Sequence, residues 1–126
     1  MRDVRRYEVF KRADVLVLRV YEVTRSFPKS ELFALTNQTR RAAYSIPMNL
    51  AEGAARSTAK EFAQFINVAV GSCEELRYQL HLAQALGYVS LPVQQSLDSE
   101  YEEVKRMLSR LLARVSGRLD SDAFEQ

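Results

Sequence analysis

From Phe62 to Ala83, apolar residues recur every three or four positions: Phe62, Phe65, Ile66, Ala69, Cys73, Leu76, Leu80 and Ala83. That spacing lines one face of a helix and neither face of a strand. Thr58-x-x-Glu61 opens the run as a capping box, and Gly87 follows Leu86 as a stop signal. The spacing therefore predicts a helix over about 59–86. Each large side chain buried on its stripe contributes about 1.5–3 kcal/mol. Gly71-Ser72 interrupts the good helix formers at mid-length. Glycine there costs about 1 kcal/mol against alanine, which points to close approach of another backbone.

Three more helical stretches accompany it. The first covers about 10–25, with Ala13, Leu16, Val17, Val20 and Thr24 inside; Val15 and Leu18 lie on the opposite side. Phe27-Pro28 ends it, because the residue before a proline is pushed out of the α region. Ser30 and Glu31 are placed to cap the next, over about 31–55. Pro47 inside that helix removes a backbone hydrogen bond and predicts a kink near Tyr44. The last helix covers about 91–116, capped by Ser90 with Pro92 in its first turn. Its stripe is Val93, Leu97, Tyr101, Val104, Leu108, Leu111 and Val115. Acidic residues lead it and basic ones follow, in the order the helix dipole favours; Arg106, Arg110 and Arg114 share one face. Gly117 reads as its end, and 120–126 as a disordered tail. Four helices with short connections give an all-α, antiparallel up-down-up-down bundle forming a single domain.

The second helix carries more than a core stripe. Beside Leu35, Thr39, Ala42, Ile46, Leu50 and Gly53 runs a polar seam of Gln38, Arg41, Ser45, Asn49, Glu52 and Arg56. At about 100° per residue these six occupy an arc of roughly 80°. Arg41 and Arg56 are placed to pair with Glu52, or with Glu75 on the third helix, while Ser45 and Asn49 can satisfy backbone groups freed by Pro47. This structural reading accounts for every residue type in the seam. It predicts that Arg41→Ala destabilises the fold by unpairing a buried carboxylate. A small anionic site or an RNA contact is the functional alternative. A third group, Phe33, Tyr44, Met48 and Ala51, lies away from the core stripe. With Val15 and Leu18 it forms a second apolar face, which contact between subunits would bury. Neighbours on both sides of a long helix would bury it too.

Charge and chemistry narrow the function. Eighteen basic residues against sixteen acidic ones leave only +2, less than a dedicated nucleic-acid binder usually carries. The most basic stretch is the lead-in, with Arg2, Arg5, Arg6, Lys11 and Arg12. Asp3, Glu8 and Asp14 dilute it, so a solvated arm is the plain expectation and phosphate contact the alternative. Met1 to Arg12 lacks an apolar core, so no secretory leader is expected there. No stretch approaches the ~20 apolar residues of a membrane span. The single cysteine, Cys73, fits a reducing cytosol; on the core stripe it reads as a small hydrophobe. His81 is the only histidine and sits beside no triad-like partner. One histidine also cannot supply paired Glu-x-x-His motifs for a di-iron bundle. No enzyme activity, cofactor, metal or small-molecule substrate is expected.

Several of these residues together resemble a known signature: Gln38, Arg41-Ala42, Ser45-Ile46-Pro47, Asn49, Ala51-Glu52-Gly53 and Arg56, with Phe27-Pro28, Glu31, Lys60-Glu61-Phe62, Ala69-x-Gly71-Ser72, Glu75-Leu76 and Leu86-Gly87-Tyr88. They resemble the bacterial 23S ribosomal RNA intervening-sequence protein (S23) family over about 7–112. Phe10 stands where that family often has tryptophan and Leu50 where it often has isoleucine. The resemblance implies a four-helix bundle assembled as a ring-like homopentamer. Some members are encoded within insertions in ribosomal RNA genes. A more distant likeness is to the accessory protein of diversity-generating retroelements, a similar ring that works with nucleic acid and a reverse transcriptase. The functional expectation is a cytoplasmic, non-enzymatic, oligomeric binding or scaffold protein associated with RNA. The alternative is an assembly module that contacts only protein.

Overall fold

The computed structural model describes the backbone of residues 2–125 and the side chains of residues 2–117. The described chain is helical throughout its regular parts: α1 (Glu8–Thr24), α2 (Asn37–Ala54), α3 (Ala59–Ala85) and α4 (Leu91–Glu125). α1 packs on α2 and α4, and α3 packs on α2 and α4. Contacts between α2 and α3 step in opposite directions along the two helices. Gly53 sits at Phe62 and Phe65, Ser45 meets Ser72, and Gln38 shares a groove with Gln79.

The core is built from the stripes read in the sequence. Leu16 and Val20 of α1, Ile46 and Leu50 of α2, Phe62, Ile66, Leu76 and Leu80 of α3, and Leu97, Tyr101, Val104 and Leu108 of α4 are all buried. Phe27, Ala83 and Val89 form a smaller cluster under the loops at one end. Ion pairs tie the helices outside the core: Arg19 to Glu100 between α1 and α4 at 2.6 Å, and Arg77 to Glu102 at 3.2 Å between α3 and α4.

The ends of α3 follow their signals. Thr58 Oγ1 accepts from the Glu61 amide at 3.2 Å and donates to its carboxylate at 2.9 Å. Gly87 has φ +80°, and the amides of Gly87 and Tyr88 donate to the carbonyls of Gln84 and Ala83. That doubly bonded left-handed cap needs a residue without Cβ strain.

The entry to α2 differs from the expectation. Ser30 makes no capping bond; it lies in a 3₁₀ turn, Lys29–Glu31. A π-type turn, Leu32–Thr36, follows, with Ala34 at φ −122°, ψ −107°. The departure from helical dihedrals thus lies at Ala34, whereas α2 stays assigned as helix from Asn37 to Ala54 with Pro47 inside. Ser45 Oγ reaches the Ala42 carbonyl at 3.0 Å and Asn49 Nδ2 the Ser45 carbonyl at 2.7 Å. These flank the carbonyl of Ala43, the group that Pro47 leaves without its amide partner.

α4 also differs. Its backbone continues as helix through Gly117 to Glu125, over most of the segment read as a tail; Gln126 lies outside the described residues. Gly117 does not take positive φ, so it does not form the left-handed cap that would end a helix.

Candidate functional site

The polar seam faces α3 only along its inner edge. Ser45 and Asn49 are half-buried, while Gln38, Arg41, Glu52, Arg56 and Glu75 are exposed. Ser45 Oγ lies 2.5 Å from Ser72 Oγ, and Ser72 Oγ lies 3.2 Å from the Val68 carbonyl. The single Ser45 proton goes either to Ser72, which then donates onward to Val68, or to the Ala42 carbonyl, with Ser72 then donating to Ser45. Arg56 pairs with Glu52 at 3.2 Å, one turn apart, and stacks over Phe65 at 5.0 Å. The expected burial of Arg41 against a carboxylate does not occur. Arg41 and Glu75 form no ion pair among the described residues. At about 100° per residue Arg41 lies on the outer edge of the seam's arc, beyond the part α3 covers.

The basic lead-in is folded onto the bundle instead of trailing as an arm. Asp3 caps a 3₁₀ turn, Val4–Arg6, and accepts from the Arg5 amide. Its carboxylate holds the Arg5 guanidinium through two bonds of 3.0 Å. The Arg5 side chain in turn holds the Asp3 carboxyl below its ordinary value. Arg2 donates to the Arg56 carbonyl at 2.8 Å and lies over the Phe62 ring at 4.9 Å. Tyr7 meets the same ring edge-on at 5.9 Å. Lys11 pairs with Glu8 at 3.1 Å. Arg6 and Arg12 are exposed and form no ion pair among the described residues. Two contacts had no simple signal in the sequence. Arg40 donates to Thr24 Oγ1 at 2.8 Å and stacks on Tyr21 at 4.7 Å, linking α1 to α2. Arg6 shares a cleft with Arg110 and Arg114 of α4.

The second apolar face lies in solvent. Phe33 is 89% exposed, Leu18 69%, Met48 57% and Val15 53%, and Tyr44 is half-buried. Thr24 sits at Arg40 and Arg2 at Arg56. Val68 and Tyr78 on α3 are exposed as well.

Of the reactive residue types, Cys73 is buried and its thiol is pushed up to about 12, first by burial and then by the Glu74 charge. A thiol held that high is not a nucleophile near neutrality. His81 is exposed and tilts against Tyr78 at 6.3 Å. No group of three metal-ligating side chains occurs among the described residues, and no described helix is long and apolar enough to cross a membrane.

No curated protein matches this chain. A family model described as 23S rRNA-intervening sequence protein matches residues 5–110, which take in the polar seam and all of the main core cluster but Leu111 and Val115. On that match the chain belongs to the 23S rRNA-intervening sequence protein family.

Proposed function

We propose that this protein is a non-catalytic, self-associating scaffold of the cytoplasm, built as a homo-oligomer through the outer face of α1 and α2. The carrying observation is the large apolar side chains of Leu18, Val15, Met48 and Phe33 left in solvent. A patch of this kind on a soluble domain marks a protein contact, and single scattered residues would not share one face. Five copies in a ring is the assembly that the family resemblance implies. The test is sedimentation velocity at micromolar concentration. The wild type sediments as a single species several times the 14.4 kDa chain mass, and Leu18→Glu/Met48→Glu sediments as a folded monomer. A monomeric wild type would overturn the proposal.

A second reading places RNA on this scaffold. It is favoured by Arg6 and Arg12, which are exposed and carry no acidic partner among the described residues. Guanidinium groups left free in this way suit phosphate oxygens. Arg2, Arg5 and Lys11, expected from the sequence to share that role, are engaged within the fold and contribute field more than contact. Binding that weakens steeply with salt supports this reading.

A further inference from the structure

We propose that the cleft between the start of α1 and the second half of α4 binds a phosphodiester of a nucleic-acid backbone, held by Arg6, Arg110 and Arg114. The inference rests on the RNA reading above and assigns it a site. The cleft encloses about 250 Å³ and is lined by these three arginines with Tyr7, Glu8, Val9 and Met107. Arg6 comes from the opposite end of the chain to Arg110 and Arg114, so folding alone brings it to the other two. Like charges gathered in one place repel one another, and an anion between them relieves that repulsion.

The nearby carboxylates are otherwise occupied. Glu8 is held by Lys11 at 3.1 Å. Glu103 is held by Arg106 at 2.7 Å and reaches Arg110 only at 3.8 Å. Arg6 and Arg114 form no ion pair among the described residues. The cleft lining thus holds three arginines and one carboxylate, Glu8, while Asp3, whose charge also faces Arg6, is held by Arg5. Arg110 and Arg114 are one turn apart, about 6 Å along the helix at 1.5 Å per residue, and present their donors as a short row. Arginine suits this role because its planar fork meets two phosphate oxygens at once. A backbone phosphate fits better than a base, since the cleft offers no stacking platform beyond the Tyr7 ring, which is already engaged with Phe62.

The full chain is titrated by fluorescence anisotropy against a labelled single-stranded RNA of about 20 nucleotides, between roughly 50 and 200 mM salt. Arg110→Glu/Arg114→Glu should weaken binding at least about tenfold at the lower salt. It should also flatten the slope of log K against log salt by about 1.4, or 0.7 for each lost contact. Arg110→Lys/Arg114→Lys keeps the charge and should keep the slope. Arg25→Glu/Lys29→Glu, an equal charge change at the other end of α1, should leave the slope unchanged. Sedimentation confirms that each variant retains the wild-type assembly. A wild type that binds RNA with a slope the cleft variants do not change overturns the site while leaving the RNA reading standing. Equal losses in the Arg25/Lys29 control overturn it in the same way. A wild type that binds no RNA at the lower salt overturns both. A wild type that binds inorganic phosphate in the cleft, lost in Arg110→Glu/Arg114→Glu, but binds no RNA would assign the cleft to a free anion and overturn the nucleic-acid assignment.

Discussion

Gly53 on α2 lies so close to Phe65 on α3 that a Cβ added to it would stand 2.6 Å from the Phe65 Cβ and 3.0 Å from Phe62 Cδ1. The near atom belongs to the root of a side chain, not to a tip that can swing away. Gly53→Ala must therefore push the two helices apart where they cross. Overpacking of this kind costs about 1–3 kcal/mol, more than the helix propensity that alanine returns in a final turn. The expected result in urea denaturation is a net loss of about 1–2 kcal/mol. A variant as stable as the wild type would mean that the helices cross with more room than this.

Gly71 is the opposite case. It lies mid-way along α3, exposed, and nothing stands within 4 Å of an added Cβ. Gly71→Ala should stabilise the fold by about 0.5–1 kcal/mol, through helix propensity and a less flexible unfolded chain. The same urea titration checks it. A loss of stability would place another backbone against Gly71.

The two glycines show where sequence reasoning stops. The period of the α3 stripe is a local property, so Phe62, Ile66, Leu76 and Leu80 are legible as core from their spacing alone. Which glycine meets a neighbour depends on how α2 and α3 pair, and the sequence pointed to Gly71 where the close approach falls at Gly53. The seam shows the same limit. Its arc is legible, but how much of it α3 covers is not, so Ser45 finds Ser72 while Arg41 stays in water. The break at Ala34 had no signal, since Leu32, Ala34 and Leu35 are all good helix formers. The meeting of Arg6 with Arg110 and Arg114 depends on the packing of the first helix against the last.

Arg41→Ala accordingly should leave fold stability within about 0.5 kcal/mol, the usual range for an exposed side chain without partners. Ser72→Ala, which removes a buried hydroxyl and the bond between α2 and α3, leaving Ser45 only the Ala42 carbonyl of its own helix, should cost about 1 kcal/mol. Thermal melts of the two variants side by side check the contrast. A large loss from Arg41→Ala would require a desolvated carboxylate facing it.

Tyr101 is 1% exposed, and its hydroxyl is buried without a hydrogen-bond partner among the described residues. An unpaired buried hydroxyl costs about 1–3 kcal/mol, whereas the ring packs in the core. Tyr101→Phe keeps the ring and removes the unpaired group, so it should be neutral or stabilising by up to about 1 kcal/mol. A marked loss in the denaturation midpoint would show that the hydroxyl is bonded in solution.

Lys105 of α4 and Glu74 of α3 lie 2.5 Å apart, and this pair sets how the α3–α4 contact responds to pH. The hydrogen bond from Lys105 lowers the Glu74 carboxyl below its ordinary 4.5, and the Glu74 carboxylate raises Lys105 above its ordinary 10.5. Glu74 is depressed in the folded state. Its contribution is therefore present above the unfolded value and lost as pH falls through the folded one. Lys105 is raised. Its contribution is present below its unfolded value and lost as pH rises through the folded one. Both contributions coexist from about pH 5 to 10 and fail at either end. Both side chains are about a third or more exposed, so the pair is worth only about 0.2–1 kcal/mol. A double-mutant cycle of Glu74→Gln and Lys105→Met should give that coupling at pH 7 and a progressively smaller one as acid protonates Glu74. Because the pair is screened, the coupling should also shrink in about 1 M salt. A coupling that persists undiminished in acid would mean that it does not depend on the Glu74 charge.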